Sequence, residues 1–252
     1  MKRIDGTIRM LLGVSWLLGT AAVLVCVLVV LLPWRGARIR VCNYYGQTVS
    51  PVGLWLCKAD VTYVDRQRID EYKPAIFVSN HTAMTDMFLA MLLCPIGGVG
   101  VAKKEIARVP LFGWAYVLSG HLLIDRGNRE RAIAGLKDVA VAVKEHSASI
   151  WIWPEGTRSK DGRLRPLKKG FAHLAIATGL PIVPIMVTNA HKNWPKHTVA
   201  SFVRTDIEVS VLEAIDTSSW ALESLDAHVE EVHAVMANAL PAEQRSLELE
   251  VA

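Results

Sequence analysis

The chain has 252 residues, of which 52% are hydrophobic, and its formal net charge is +4. Its four cysteines show no CxxC pair and no metal-ligand spacing, so the sequence predicts neither a disulfide framework nor a structural zinc site. Apolar segments interrupt the basic residues and no recognisable nucleic-acid-binding module occurs, which argues against nucleic acid as a partner.

The N-terminal segment is apolar enough to enter a membrane. Residues 10–32 form a run of 23 residues without a charge, and three basic residues flank it on each side. As a helix this run would extend about 35 Å, enough to cross a hydrocarbon core of about 30 Å. We therefore predict a membrane anchor over residues 1–40, with a helix over about residues 10–32.

Two alternatives to a spanning helix remain open for this segment. A cleaved signal peptide normally has a shorter apolar stretch, of about 7 to 15 residues, and lacks basic residues on its far side. A helix that lies within one leaflet would fit the same pattern. Because the two flanks carry equal positive charge, the sequence does not indicate an orientation.

Residues 41–240 alternate between short apolar runs and helical patterns, which predicts one α/β domain with helices on the faces of a sheet. The predicted strands are Ala75–Ser79, Gly98–Ala102, Leu122–Asp125, Ser149–Trp153, Ile182–Val187 and Ile207–Leu212. The clearest helix is Arg129–Glu145, and a final amphipathic helix is predicted over about Leu222–Leu240. Residues 241–252 are polar and acidic and are predicted to be a mobile tail.

A His-x4-Asp pair, His81 and Asp86, follows the first predicted strand. Five residues of continuous helix would separate the two side chains by about 140° around the axis and about 7.5 Å along it, so they can meet only across a bend. A turn between the strand and an apolar helix over Met87–Leu93 supplies that bend. An imidazole oriented by a carboxylate can take a proton from an alcohol. The alternative is that His81 caps the helix or bonds a buried carbonyl.

A second turn, Trp153–Ser159, carries residue types that suit a phosphate. The guanidinium of Arg158 can bind phosphate oxygens through two charge-assisted hydrogen bonds. The same letters would also suit an ordinary turn, in which Gly156 permits a positive φ and Thr157 bonds its own backbone. Glu155 would repel a phosphate, so it is predicted to anchor an arginine or to accept from a glycerol hydroxyl.

Five blocks in this order resemble the glycerolipid acyltransferase family, and most closely its bacterial 1-acylglycerol-3-phosphate (lysophosphatidic acid) acyltransferases. The blocks are Asn80–Asp86, Lys103–Glu105 with Pro110–Trp114, Gly120–Arg126, Trp153–Ser159 and Leu180–Ile185. The resemblance covers about residues 75–187 and implies the mixed sheet of that family, with helices on both faces. Leu123, Trp153 and Thr85 depart from the usual letters, which puts chain-length or acceptor preference in doubt more than the reaction.

The resemblance implies a role for each block. His81 would be the base and Asp86 its partner. The predicted ligands of the phosphate and glycerol are Arg126, Glu155, Gly156, Thr157 and Arg158. Pro181, Val183 and Pro184 would border the acyl or acceptor site. Without the family, Arg126 would be interpreted as the partner of Asp125 in a surface ion pair.

The implied reaction moves an acyl chain from acyl-CoA or an acyl carrier protein to the sn-2 hydroxyl of 1-acyl-sn-glycerol 3-phosphate, which gives phosphatidic acid. No cofactor or metal is expected. The implied location is the bacterial inner membrane with the catalytic domain on the cytoplasmic side, in contact with membrane lipids. The alternatives are another lysophospholipid or a lyso-aminolipid as acceptor, and a non-catalytic lipid-binding membrane protein. A serine esterase is excluded because no Gly-x-Ser-x-Gly motif occurs.

Charge along the chain agrees with an anionic substrate. Residues 103–170, which contain the predicted phosphate ligands, carry 14 basic and 7 acidic side chains, a difference of +7. Residues 171–252 carry 4 basic and 11 acidic side chains, a difference of −7. The positive field of the central segment would attract a lysolipid phosphate, the phosphopantetheine arm of the acyl donor and anionic headgroups.

Overall fold

A computed structural model describes residues 2–124, 136, 139–141, 143, 145, 147–195 and 198–246. The α-helices of this part of the chain are α1 (Lys2–Val30), α2 (Arg35–Leu56), α3 (Arg68–Tyr72), α4 (Asp86–Leu93), α5 (Phe112–Leu118), α6 (Gly170–Thr178), α7 (Ala190–Asn193) and α8 (Leu225–Asn238). Short 3-10 turns lie at Lys104–Arg108, Leu222–Ser224 and Ala242–Gln244.

Seven strands of the described residues form one sheet in the order β1-β7-β6-β2-β5-β3-β4. They are β1 (Ala59–Val64), β2 (Ile76–Ser79), β3 (Val99–Lys103), β4 (Leu122–Ile124), β5 (Ile150–Ile152), β6 (Ile182–Thr188) and β7 (Thr205–Val211). Neighbouring strands are parallel except β6 and β7, which are antiparallel. The predicted mixed sheet is therefore confirmed.

Side chains of the central strands alternate between two apolar layers. Ile76 and Val78 point into one layer, against α6 and α8, whereas Phe77 points into the other, against α4. This alternation follows from the two-residue period of a strand. A strand buried on both faces has no polar side, which explains why β2 and β5 are continuous apolar runs. The predicted helices on both faces are confirmed.

The predicted strands lie within two residues of the observed ones at each described end. The sequence analysis missed β1, at the edge of the sheet, and α2. The helix predicted over Arg129–Glu145 lies mostly outside the described residues, although Val139 and Val143 belong to the apolar layer beneath α6 and α8.

Helix α1 begins at Lys2, earlier than predicted, and ends at Val30. Within the described residues it is long and apolar enough to cross a membrane, and only 17% of its most apolar window is buried against the protein. Such exposure distinguishes it from the core helix of a soluble protein. Helix α2 begins at Arg35, so the predicted anchor boundary at residue 40 falls inside that helix.

Helix α2 packs closely on α4 through two glycines. A Cβ atom at Gly46 would lie 2.9 Å from the Met91 carbonyl oxygen, and one at Gly53 would lie 2.4 Å from the ring of Phe88. A larger residue at either position would separate the two helices. The N-terminal helices are thereby held against α4, which begins at Asp86.

The start of the predicted mobile tail is packed rather than free. The Gln244 side chain is fully buried, and its Oε1 accepts a hydrogen bond of 2.9 Å from the Asn189 backbone. Its Nε2 donates to the Gly162 carbonyl at 3.4 Å. A buried amide that finds partners in two loops is stable inside a domain, which its polarity in the sequence did not indicate. Residues 247–252 lie outside the described range.

Candidate functional site

The site lies at the carboxyl ends of two neighbouring parallel strands. Val78 of β2 pairs with Ile152 of β5, so the loops that follow these strands leave the sheet side by side. The first loop carries His81 and the second begins at Trp153. Carboxyl ends of strands at such a position are the usual place for ligand sites in open α/β sheets.

His81 and Asp86 are hydrogen-bonded across a bend in the chain, as the sequence predicted. Nδ1 of His81 lies 2.9 Å from Oδ2 of Asp86. Helix α4 begins at Asp86, so His81 belongs to the preceding loop and the two side chains face each other. A carboxylate accepts only, so Nδ1 carries the proton and Nε2 is unprotonated in the neutral ring.

Backbone amides fix the Asp86 carboxylate in place. Oδ2 accepts hydrogen bonds from the Thr82 N–H at 2.6 Å and from the Ala83 N–H at 2.8 Å. The side chain of Asp86 is only 1% exposed. These two donors hold the carboxylate oxygen at the start of α4. Asp86 can therefore hold His81 in one orientation and stabilise a positive charge on it.

The buried side chain of Glu155 links the two loops through hydrogen bonds to their backbones. Its Oε1 accepts from the His81 N–H at 2.6 Å, and its Oε2 accepts from the Arg165 N–H at 3.1 Å. The residue is only 2% exposed. Burial raises the pKa of Glu155 to about 8, against the two backbone donors that lower it. Glu155 thus accepts from two backbone N–H groups of the described residues, and it supports the loop that holds His81.

Two further contacts enclose His81. The ring of Trp153 stacks on the imidazole with centroids 4.4 Å apart and planes 17° apart. The Ser159 N–H donates to the His81 carbonyl at 2.8 Å. The imidazole side chain is 15% exposed, so one edge of the ring remains accessible. The sequence analysis noted Trp153 only as a departure from the usual letter and did not foresee that it packs on His81.

The predicted phosphate ligands are partly described. Gly156 has a φ of 74°, in the left-handed region where glycine is favoured, so the predicted turn is present. Thr157 is exposed and Arg158 is half-buried in the same turn. Arg126 lies outside the described residues, as does Asp125, its proposed alternative partner. Arg158 directly precedes Ser159, whose N–H donates to the His81 carbonyl at 2.8 Å.

Pro181, Val183 and Pro184, predicted to border the acyl or acceptor site, lie beside β2, where Pro184 pairs with Val78. The Pro181 carbonyl accepts from the Ile76 N–H at 2.9 Å, which places it beside the first residue of β2. Val183 pairs with the next residue of β2, inside the apolar layer. His81 follows the opposite end of β2, and each strand residue adds about 3.3 Å. These three residues lie within or at the start of β6 and support the sheet.

Two buried amides that the sequence analysis did not select hold the loop. Asn80 bonds both backbone groups of Val187 in β6, accepting at 2.8 Å and donating at 2.9 Å. Thr85 donates to Oδ1 of Asn193 at 2.6 Å. Nδ2 of Asn193 then donates to the carbonyl of Cys57 at 2.9 Å. Asn80 adjoins the predicted base and could have been found from that position, whereas nothing local to Asn193 distinguishes it.

An apolar cavity of about 150 Å³ has Trp153, which stacks on His81, in its lining. It passes between α2 and α4 and reaches His121 at the start of β4. Among the described residues that line it there is no Asp, Glu, Lys or Arg. Burial lowers the pKa of His121 to about 4, so this ring is neutral near pH 7. The cavity suits a hydrocarbon chain.

Within the described ranges, no cluster of three or more His, Cys, Asp or Glu side chains has the arrangement needed to hold a metal ion. His81 instead finds its partner in a carboxylate.

Comparisons with known proteins agree with this geometry. The family model described as Acyltransferase matches residues 60–188. A protein of Limnanthes douglasii named 1-acyl-sn-glycerol-3-phosphate acyltransferase is 41% identical over 222 residues, which is 88% of this chain and 78% of the relative. An Escherichia coli protein of the same name is 35% identical over 156 residues, 62% of each chain.

The fold also has a close match among solved structures. The crystal structure of the 1-acyl-sn-glycerophosphate (LPA) acyltransferase from Thermotoga maritima has a TM-score of 0.74, with 21% sequence identity. The match covers 92% of this chain and 94% of the other. At that identity the likeness concerns the fold. Because the family model covers residues 60–188 and a relative is 41% identical over most of its length, the chain belongs to the acyltransferase family.

Proposed function

We propose that the chain transfers an acyl group from a thioester to the sn-2 hydroxyl of 1-acyl-sn-glycerol 3-phosphate and so forms phosphatidic acid. The observation that carries this proposal is the His81–Asp86 hydrogen bond of 2.9 Å together with an apolar cavity whose lining includes Trp153, the residue that stacks on His81. A base at the end of a hydrocarbon pocket meets the needs of acyl transfer to an alcohol. The names of the relatives support lysophosphatidate as the acceptor.

His81 moves the proton during the reaction. Nε2 takes the proton of the sn-2 hydroxyl while the hydroxyl oxygen attacks the thioester carbonyl carbon. The tetrahedral intermediate then collapses with cleavage of the carbon–sulfur bond, and the imidazolium returns the proton to the departing thiolate. One ester forms, one thioester breaks and the base is regenerated.

Asp86 and Glu155 have different tasks in this scheme. Asp86 accepts from Nδ1 and stabilises the imidazolium formed when Nε2 is protonated. Glu155 contacts no side-chain nitrogen of His81 and holds its backbone N–H instead. Glu155 is thus a positioning residue, which keeps the imidazole where the acyl chain and the acceptor meet.

Arg158 is the described candidate for the acceptor phosphate. It is half-buried in the turn that follows Trp153, and its guanidinium can bind two phosphate oxygens. The neighbouring Thr157 hydroxyl is exposed and can donate to the same group. Arg126 is proposed as a second phosphate ligand on the resemblance of its sequence block alone. No cofactor takes part in this scheme.

The acyl chain of the donor occupies the apolar cavity. Its thioester would then lie at the Trp153 end, next to His81, and its tail would extend toward His121. Burial of each methylene contributes about 0.8 kcal/mol, which provides binding energy without a polar partner. Both acyl-CoA and an acyl carrier protein present the same phosphopantetheine thioester, so either is a suitable donor for this arrangement.

The reaction is proposed to occur at the bacterial inner membrane. Helix α1 is the candidate membrane helix, and both lysophosphatidate and its product are lipids of the bilayer. The donors are cytosolic, so the catalytic domain should face the cytoplasm. Protease added to the opposite side of sealed vesicles should leave the domain uncut, and cleavage from that side would contradict this orientation.

A panel of lysolipid acceptors tests the proposed function. The purified chain should acylate 1-acyl-sn-glycerol 3-phosphate in preference to lysophosphatidylcholine, lysophosphatidylethanolamine and a lyso-aminolipid, with both acyl-CoA and acyl carrier protein supplied as donors. The His81→Ala variant serves as the blank. Equal turnover of acceptors that lack a phosphate monoester would overturn the acceptor assignment while leaving acyl transfer intact.

A further inference from the structure

A second pocket, of about 590 Å³, lies apart from the cavity that reaches His81 and shares no lining residue with it. It is bounded by the last turns of α2, by strand β1 and by the end of α4 at Leu92. The volume is within the range of small-ligand sites, about 300 to 1,000 Å³. This pocket has no part in the proposed reaction.

The charge of the second pocket is positive. Its lining has four basic side chains, Arg9, Lys58, Arg66 and Arg204, and one acidic side chain, Asp60. Asp5, just outside the lining, pairs with both Arg9 and Lys58. Asp206 lies beside Asp60 on the neighbouring strand and interacts electrostatically with Arg204. When Asp5 and Asp206 are both counted, four positive charges face three negative ones, so the pocket retains an excess of one.

The four basic side chains differ in how many hydrogen bonds and ion pairs they form within the protein. Arg9 donates to the carbonyls of Trp55 and Leu56 at the end of α2, which is a structural task. Arg66 lies over the ring of Tyr63 at 5.0 Å, and among the described residues no carboxylate lies within ion-pair distance of it.

Arg204 pairs with Asp60 at 2.8 Å, yet its side chain is 80% exposed. An exposed ion pair of this kind contributes little stability, so its arginine is easily shared with another anion. Arg66 and Arg204 are therefore the best-placed ligands for an anion in this pocket.

The pocket adjoins the charged end of the candidate membrane helix α1. Arg9, which lines the pocket, is the last charged residue before the uncharged run of residues 10–32, and arginine favours the interface over the hydrocarbon. Trp55 on the pocket rim is 66% exposed, although indole is apolar. Exposed tryptophan beside arginine and lysine is typical of the interface between a bilayer and water.

We propose that this pocket binds the phosphate headgroup of an anionic membrane glycerophospholipid, with the acyl chains of that lipid lying along the exposed face of α1. Arg66 and Arg204 hold the phosphate, Lys58 adds charge, and Trp55 packs against the glycerol region. The site is a lipid contact separate from the acceptor site, so it does not depend on the identity of the reaction.

Quenching by brominated lipid tests the proposal on the full chain in neutral detergent micelles. Brominated phosphatidylglycerol should quench the fluorescence of Trp55, which is isolated as the difference between the wild type and Trp55→Phe. Brominated phosphatidylcholine should quench it much less at the same mole fraction. Arg66→Gln with Arg204→Gln should raise the half-quenching mole fraction of phosphatidylglycerol about 25-fold, roughly 5-fold for each residue.

A matched double variant, Lys73→Gln with Lys169→Gln, removes the same charge at exposed positions outside the pocket. It should shift the midpoint less than about 3-fold, since distant charges are screened. Equal shifts in the two double variants, or equal quenching by both lipids, would overturn the proposal.

Two further measurements identify the ligand. Inorganic phosphate added together with brominated phosphatidylglycerol should reduce the quenching of Trp55 only slightly, because the acyl chains contribute to lipid binding. Complete loss of the quenching in the presence of phosphate would show a site for the free ion and contradict the lipid assignment. Turnover of detergent-dispersed acceptor should be the same in the wild type and both double variants. If the Arg66→Gln, Arg204→Gln variant loses turnover while its quenching by phosphatidylglycerol is unchanged, these arginines take part in the reaction and the proposal is overturned. A wild type that is inactive but still shows the quenching would contradict only the proposed function.

Discussion

The His81 loop and the apolar cavity beside it are built in opposite ways. The loop depends on hydrogen bonds of fixed direction, which His81 donates from Nδ1 to Asp86 and from its backbone N–H to Glu155. The cavity depends on the shapes of apolar side chains from α1, α2, α4, α5 and β3, and carries almost no polar group. The loop needs exact positions because proton transfer depends on geometry, whereas a hydrocarbon chain needs only space without water. Chemistry and chain selection are thus separable here.

The largest expected effect tests the loop. His81→Ala should lower kcat about 10²- to 10⁴-fold with little change in the lysolipid KM, because the base acts in the transition state. Asp86→Asn should also lower kcat, since an amide favours the wrong tautomer. Steady-state kinetics and melting temperatures check this, with the exposed Asp70→Asn as control. Normal turnover in a folded His81→Ala enzyme would remove the base from the scheme.

The second-largest expected effect is on stability and tests Glu155, which supports the His81 loop without taking part in the chemistry. Glu155 has a pKa of about 8 in the folded chain, above its ordinary 4.5, because of burial. Between these values the folded state holds a proton that the unfolded state has lost. The free energy of unfolding should therefore fall as pH rises from about 5 to 8, by no more than about 1.4 kcal/mol per pH unit.

Glu155→Gln isolates this contribution, since glutamine does not titrate. Denaturant unfolding at several pH values should show a smaller fall for the variant than for the wild type over the same interval. Parallel curves would mean that Glu155 is ionised throughout and that its two backbone donors outweigh burial.

A third prediction tests whether acceptor recognition is separate from both regions. Arg158→Ala should lower kcat/KM about 10- to 150-fold, mainly through the lysolipid KM, because charge-assisted hydrogen bonds contribute about 1.5 to 3 kcal/mol. Arg158→Lys should recover part of the loss, since it keeps the charge without the planar fork. If the melting temperature and the KM values of both substrates change together, Arg158 is structural instead.

The smallest effect tests the cavity. Ala102→Leu adds three carbon atoms to its lining, so long-chain donors should lose about 10-fold in kcat/KM while short-chain donors are unaffected. The exposed Ala221→Leu is the matched control. A series of donors of increasing chain length checks the prediction. Loss of activity with every donor, in a stable variant, would show that the cavity and the His81 loop cannot be separated.

Local patterns in the sequence determined most strands, the apolar N-terminal helix and the pairing of His81 with Asp86. Each depends on residues close together in the chain. Strand periodicity and the spacing of two residues across a bend are properties of local geometry. They can therefore be inferred directly from the order of residues in the sequence. The missed helix α2 contains Pro51 and buried polar residues such as Asn43, both of which are unusual in a helix interior.

Only the tertiary structure decided which distant residues meet. Glu155 reaches the His81 backbone because β5 is the neighbour of β2, and strand order does not follow chain order. For the same reason Pro181, just before β6, lies beside Ile76 at the start of β2, although more than 100 residues separate them in the chain. The cavity and the basic pocket each combine segments far apart in the chain. Sequence periodicity predicts that a side chain is buried, whereas its partner depends on how the layers pack.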